Sequence, residues 1–221
     1  MKLIKLLPRI YRHPLIPHRF RVRRLVMQRQ PVISAVVLAV LFGAVSLAWS
    51  LLGLLFPFVV PYQAVYSPAL LGEVTGHFLF GLVAGAATGR LAPALLAGLE
   101  AVLIDSDHLM AAAGFSIDAR LSHSVFFIVL SSFLVARAGR RGAFAPNRYA
   151  VMAVTMASFL AHLAFDIASG DGNFPLFFPL SVGFYELPYL AWPLLEVGAL
   201  FLCLLARRGW ESPRRQPLAQ K

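Results

Sequence analysis

The sequence holds a single cysteine, Cys203, which excludes a disulfide framework and any zinc site built on thiolates. Alone among apolar neighbours, it serves as a small packing residue. Charge is scarce as well: only 14% of the chain is Asp, Glu, Lys or Arg, and 10 acids stand against 20 bases. No acid precedes Pro31, no internal repeat or low-complexity tract is present, and no folded nucleic-acid reader accompanies the basic N-terminal segment. Nucleic-acid binding is therefore not expected. In place of charge stand hydrophobic residues, 59% of the chain, with a mean hydropathy of +0.73. A soluble domain of this length fills its core with far less, so the composition is that of an integral membrane protein.

A helix rising ~1.5 Å per residue needs about 20 apolar residues to cross ~30 Å of hydrocarbon. Six runs approach that length, at residues 31–59, 72–89, 91–113, 122–138, 149–168 and 187–206, with breaks at Pro61, Arg90, Arg120, the Arg137 to Arg148 stretch and the Asp171 to Pro188 loop. The predicted fold is all-α, a polytopic bundle of about six transmembrane helices over residues 31–206, between a basic leader at 1–30 and a basic tail at 207–221. The leader carries nine Lys or Arg residues. Its charged region and apolar run are longer than those of a signal peptide and lack a small-residue cleavage site, so an uncleaved anchor is expected. Basic residues near anionic headgroups contribute about 1 kcal/mol each, which makes membrane lipids the expected partner of the leader.

Lys and Arg collect on the cytoplasmic side of membrane proteins. With the N-terminus inside and six spans, every basic residue except Arg120 falls on that side. Both termini are thus expected in the cytoplasm and the bundle in the cell's inner or plasma membrane. Within the second run, Gly81, Gly85 and Gly89 have the spacing of small residues that let helices pack closely.

Four of the six histidines lie within or at the ends of these runs, each near a carboxylate or hydroxyl: Gly76-His77, Asp105-Ser106-Asp107-His108, Ser122-His123-Ser124, and His162 with Asp166. On the predicted topology each falls near the end of its span that faces away from the cytoplasm. An ionisable group in lipid costs at least ~2.5 kcal/mol on insertion scales unless it is paired, metal-bound or wet. Interhelical hydrogen bonds, at about 0.6 kcal/mol each, return too little to explain so many polar groups at one depth. His162 and Asp166 are an i, i+4 pair and Asp105 and His108 an i, i+3 pair, so each pair shares a helix face. Asp107 points elsewhere on a regular helix. Either the helix ends near Asp105, or Asp107 orients a ligand from behind. Imidazole with carboxylate and no thiol suits zinc, manganese or iron.

These residues resemble those of the membrane-bound metal-dependent hydrolases that include the LexA-regulated inner-membrane proteins of bacteria. The resemblance covers residues 75–180. The family's Gly-His, Asp-x-Asp-His, Thr-His-Ser, Ser-His-x-x-x-Asp and Gly-x-Pro-Leu-x-x-Pro elements are matched in order by Gly76-His77, Asp105 to His108, Ser122-His123-Ser124, Ala161 to Asp166, and Gly172 to Pro179. Asp118 stands where the family has a further His, Ser122 replaces Thr, Ala161 replaces Ser, and Arg120 sits one residue later than the family's Arg.

The resemblance implies a hydrolase of a phosphoester, phospholipid or other lipid-phosphate substrate, working at the extracytoplasmic face through a metal-activated water. His77, Asp105, His108, His123, His162 and Asp166 would hold one or two divalent ions, zinc first, with manganese or iron as alternatives. Asp107 or Asp118 would act as general base or orient a ligand histidine, and Arg120 would grip a phosphate. Two other functions fit the same residues: a divalent-cation transporter or channel, kept open by Glu100 in the third span, and a non-catalytic membrane protein with a structural metal. Asp171 and Glu186 read as solvated loop residues.

Overall fold

The computed structural model describes residues 18–52, 69–108, 120–141, 144 and 147–211; Asp118 and the far end of the third predicted span lie outside the described residues. Six α-helices carry them, α1 (His18–Leu51), α2 (Ala69–Ala86), α3 (Leu91–Leu103), α4 (Val125–Ala138), α5 (Arg148–Ser169) and α6 (Ala191–Glu211). Short 3-10 turns at Leu121–His123 and Gly139–Arg141 flank α4. The loop after α5 is closed by a small antiparallel ladder, β1 (Asn173–Phe174) with β2 (Tyr185–Glu186). The expected all-α class holds, and each apolar run contains a helix.

Two segments, Pro31–Leu51 and Arg148–Ser169, are long and apolar enough to cross a membrane. The others are shorter or carry more charge: α3, with 13 residues, rises only ~20 Å. It stops at Leu103, well short of the expected end at residue 113, because the chain turns at Ile104 to Ser106. There Ser106 Oγ donates to Gly43 O at 3.1 Å and Ser46 Oγ to Ile104 O at 2.6 Å. Serine and aspartate side chains compete with helix hydrogen bonds in this way. At the other extreme, α1 begins at His18 and runs through Pro31, where the hydrophobic run was expected to begin. Hydropathy marks where a helix becomes apolar, not where it starts.

The central helix is α5, which packs on α2, α3, α4 and α6; 72% of its apolar window is buried, against 33% for α1. Small residues on α5 (Ala150, Ala157, Ala161, Ala164) let neighbours approach from several sides. Between α2 and α3 the approach is closer still. A Cβ on Gly81 would lie 2.5 Å from Ala97 O, and one on Gly85 would lie 2.7 Å from Ala94 Cα, so glycine is required at both. Gly89, the third of that series, instead forms the turn between the helices at φ 70°. The outside of the bundle is apolar: Leu71 and Leu194 are 75% exposed, and Val37, Val40, Phe133, Val197 and Phe201 are each more than half exposed. Water disfavours so large an exposed apolar surface and hydrocarbon does not.

Candidate metal centre

Five of the expected ligands meet at one point. His77 comes from α2, Asp105 from the turn that ends α3, His123 from the 3-10 turn before α4, and His162 and Asp166 from α5. His77 Nε2 lies 3.4 Å from Asp105 Oδ2 and 3.3 Å from Asp166 Oδ1. His123 Nε2 lies 3.4 Å from Asp105 Oδ1 and 3.3 Å from Asp166 Oδ2, and His162 Nε2 3.5 and 3.3 Å from the same two oxygens. These separations are long for charge-assisted hydrogen bonds, which run at about 2.7–2.9 Å. They suit ligands of a common ion: donors ~2.1 Å from a metal stand roughly 3.0 Å apart at right angles and roughly 3.4 Å apart at tetrahedral angles.

Hydrogen bonding fixes the tautomers. His162 Nδ1 is 2.6 Å from Ala101 O and His123 Nδ1 is 3.1 Å from Arg120 O. A carbonyl only accepts, so each Nδ1 carries a proton, and in the neutral ring each Nε2 presents a lone pair. The two Nε2 atoms face each other at 2.8 Å. Two acceptors at that distance repel unless a cation or proton lies between them. Asp105 Oδ1, turned toward both, is buried with no hydrogen-bond donor among the described residues. The group can hold a metal ion, and this arrangement of acceptors fits one.

Each carboxylate is divided between the imidazoles. Asp105 turns Oδ2 to His77 and Oδ1 to His123 and His162, while Asp166 turns Oδ1 to His77 and Oδ2 to the other two. The His77 and His162 rings stack at 4.0 Å between centroids. Gly76 makes room for this: a Cβ there would collide with the Phe165 ring, whose packing on His77 holds the imidazole in place. Four of the five ligands are buried, and Asp105, with its side chain 13% exposed, forms the open edge.

Asp107 and His108 stand beside this group rather than within it. With Asp105 they form a neighbouring set whose ligand atoms lie within 4.8 Å of one another. The chain does turn at Asp105, so the regular-helix direction of Asp107 does not apply. Its Oδ2 accepts from Ser50 Oγ at 3.3 Å, and its buried Oδ1 has no hydrogen-bond partner among the described residues.

Arg120, the candidate phosphate grip, is engaged within the site. It is buried, takes a left-handed backbone at φ 44°, and reaches inward. One terminal nitrogen meets Asp166 Oδ2 at 2.8 Å and the other Asp171 Oδ2 at 2.7 Å, over the Phe174 ring. Phe174 in turn stacks on His123, with 5.7 Å between centroids. Asp171 therefore belongs to the site's support and is not a solvated loop residue. The Gly172 to Pro179 segment hinted at this, since a defined turn so soon after Asp166 brings its residues back to the ligands.

The contribution of α1 was not legible as function. Besides Ser46 and Ser50, Trp49 Nε1 donates to Leu121 O at 3.0 Å, so one face of α1 holds both loops that carry ligands. The only sign is the polar spacing Ser46, Trp49, Ser50 in an otherwise apolar run. No family model, no curated protein and no solved structure matches the chain.

Proposed function

We propose that this chain is a membrane-embedded, metal-dependent hydrolase acting on a phosphoester or lipid-derived substrate at the extracytoplasmic face. The observation that carries the proposal is the set of three imidazole Nε2 atoms and two carboxylates spaced 3.3–3.5 Å apart, with two of the imidazoles held through Nδ1 by backbone carbonyls. Among the described residues of the site, four carboxylates (Asp105, Asp107, Asp166 and Asp171) stand against one guanidinium, that of Arg120, which leaves negative charge for divalent cations to offset. His77, His123, His162, Asp105 and Asp166 would together hold one or two divalent ions, zinc first among the candidates. When bound, such ions supply a water of near-neutral pKa and neutralise charge on phosphoryl oxygens. The resemblance to membrane-bound metal-dependent hydrolases, the basic residues gathered at the opposite end and the open edge at Asp105 support the same function.

The protein's own groups divide the remaining work. His123 and His162 are held by backbone carbonyls so that their Nε2 atoms point at the ions. Arg120 holds Asp166 in place, as a positioning residue rather than a phosphate grip. Asp107, whose Oδ1 has no hydrogen-bond partner among the described residues, would accept the proton of the attacking water, and Asp118 remains the alternative base. Lipid substrate enters past Asp105, where the site is least covered.

A cation transporter built on the same ligands is the alternative, and Glu100 is what favours it. It is fully buried between α3 and α5, where it accepts from Thr155 Oγ1 at 3.2 Å and Ser158 Oγ at 3.3 Å. Below it the packing is apolar, with Leu96 and Ala97 fully buried, which disfavours a continuous path. The deciding experiment is elemental analysis of detergent-purified protein beside His162→Ala, followed by a phosphoester and phospholipid hydrolysis screen. Metal lost in the variant together with metal-dependent turnover is the expected result. Failure of both proteins to bind added metal overturns the proposal. Metal binding without turnover, joined by metal uptake into proteoliposomes that Glu100→Gln abolishes, replaces it with transport.

A further inference from the structure

The far end of the bundle holds a second feature that the metal centre does not use. Arg148 and His162 are both on α5, and at ~1.5 Å per residue they lie ~20 Å apart. Around Arg148 is a cavity of about 380 Å³ lined by Phe133, Arg137, Arg140, Arg148, Tyr149 and Met152. Three guanidinium groups thus converge on one space with no carboxylate among its walls. Among the described residues Glu211 is the one acid at this end, and it is bound to Arg207 at 2.9 Å. Arg148 donates to Tyr149 Oη at 2.7 Å and lies over the Tyr149 ring at 4.7 Å, which aims its planar group without neutralising it. Like charges gathered in this way repel, and an anion bound among them would offset that repulsion.

The walls indicate which molecule. A planar guanidinium fork matches phosphate oxygens two at a time. Phe133, 58% exposed on the outside of α4, and Met152 on α5 extend the cavity along the apolar flank of the bundle. Tyr149, 66% exposed, is the kind of residue that settles at the membrane–water boundary. A soluble anion would use the guanidinium groups and leave that flank bare; a phospholipid uses both. We infer that this cavity binds the phosphate headgroup of an anionic phospholipid from the adjoining leaflet, with an acyl chain along Phe133 and Met152. The site rests on the membrane embedding of the bundle and is independent of the chemistry proposed for the other end.

Native mass spectrometry of the purified full chain with phosphatidylglycerol, phosphatidylcholine or inorganic phosphate tests it. Phosphatidylglycerol should remain bound, phosphatidylcholine should not, and inorganic phosphate should fail to displace the lipid. Arg137→Gln and Arg148→Gln should each weaken phosphatidylglycerol binding about tenfold, the loss expected for one charge-assisted contact. Arg208→Gln removes the same charge away from the cavity and should leave affinity unchanged. Size-exclusion elution at the wild-type volume shows that each variant is folded. Equal weakening by Arg208→Gln reduces the effect to general charge and overturns the proposal. Displacement by inorganic phosphate assigns the cavity to a soluble anion and overturns it too, as does equal retention of phosphatidylcholine.

Discussion

Arg120 and Arg148 are the same residue type in two different settings. Arg120 is buried at the ligand end between Asp166 and Asp171 and orders the loop that carries His123. Arg148 is exposed at the other end, has a tyrosine for its partner and shares its cavity with two more arginines. The difference comes from where the acids are. The ligand end concentrates carboxylates, so its one guanidinium becomes an internal brace. The opposite end has almost none, so its guanidinium groups look outward for an anion.

Substitutions should separate the two ends, and the largest effect is expected at the ligands. His162→Ala removes a donor and the bond to Ala101 O and should abolish metal binding, as read by elemental analysis; full stoichiometry in the variant would contradict the assignment. Next is Arg120→Ala, which leaves Asp166 without its guanidinium partner. Breaking a buried ion pair from one side costs about 3–5 kcal/mol, seen as a lower melting temperature in detergent, whereas Arg148→Ala should be nearly silent in the same assay. Gly81→Ala forces α2 away from α3 and should cost ~1–3 kcal/mol through overpacking, with metal affinity falling because His77 and Asp105 sit on those two segments. Smallest is Asp171→Asn. Its carboxylate is 34% exposed, so its loss should cost no more than about 1 kcal/mol and should lower metal affinity less than Arg120→Ala does. Should Asp171→Asn match Arg120→Ala, the brace acts mainly through the loop and not through Asp166.

Much of this could be seen in the chain itself. Each helix falls within or across an apolar run, because burial in lipid or in a bundle selects for local apolar length. The Gly81 and Gly85 contact follows from their spacing, and the convergence of His77, Asp105, His123, His162 and Asp166 follows from polar groups that are too costly to scatter. That the helix ends near Asp105 was one of two expectations, but what holds that turn could not be seen. Its cause is a set of hydrogen bonds from α1, and nothing within residues 91–113 signals that Gly43 and Ser46 will be there. Arg120 was expected to grip a phosphate; its turn toward Asp166 and Asp171 depends on both arriving together.

The sequence by itself determined the helical class, the places of the helices, the segregation of acids from bases and the identity of the candidate ligands, since all of these depend on composition and spacing along one segment. Only the tertiary structure decided which oxygen of each carboxylate faces which imidazole, that Asp171 supports the site, that α1 holds its loops and that three arginines share a cavity. Those contacts join residues far apart in the chain, His123 to His162 and His162 to Ala101 among them. Packing of whole helices sets such distances, and local preference cannot fix them.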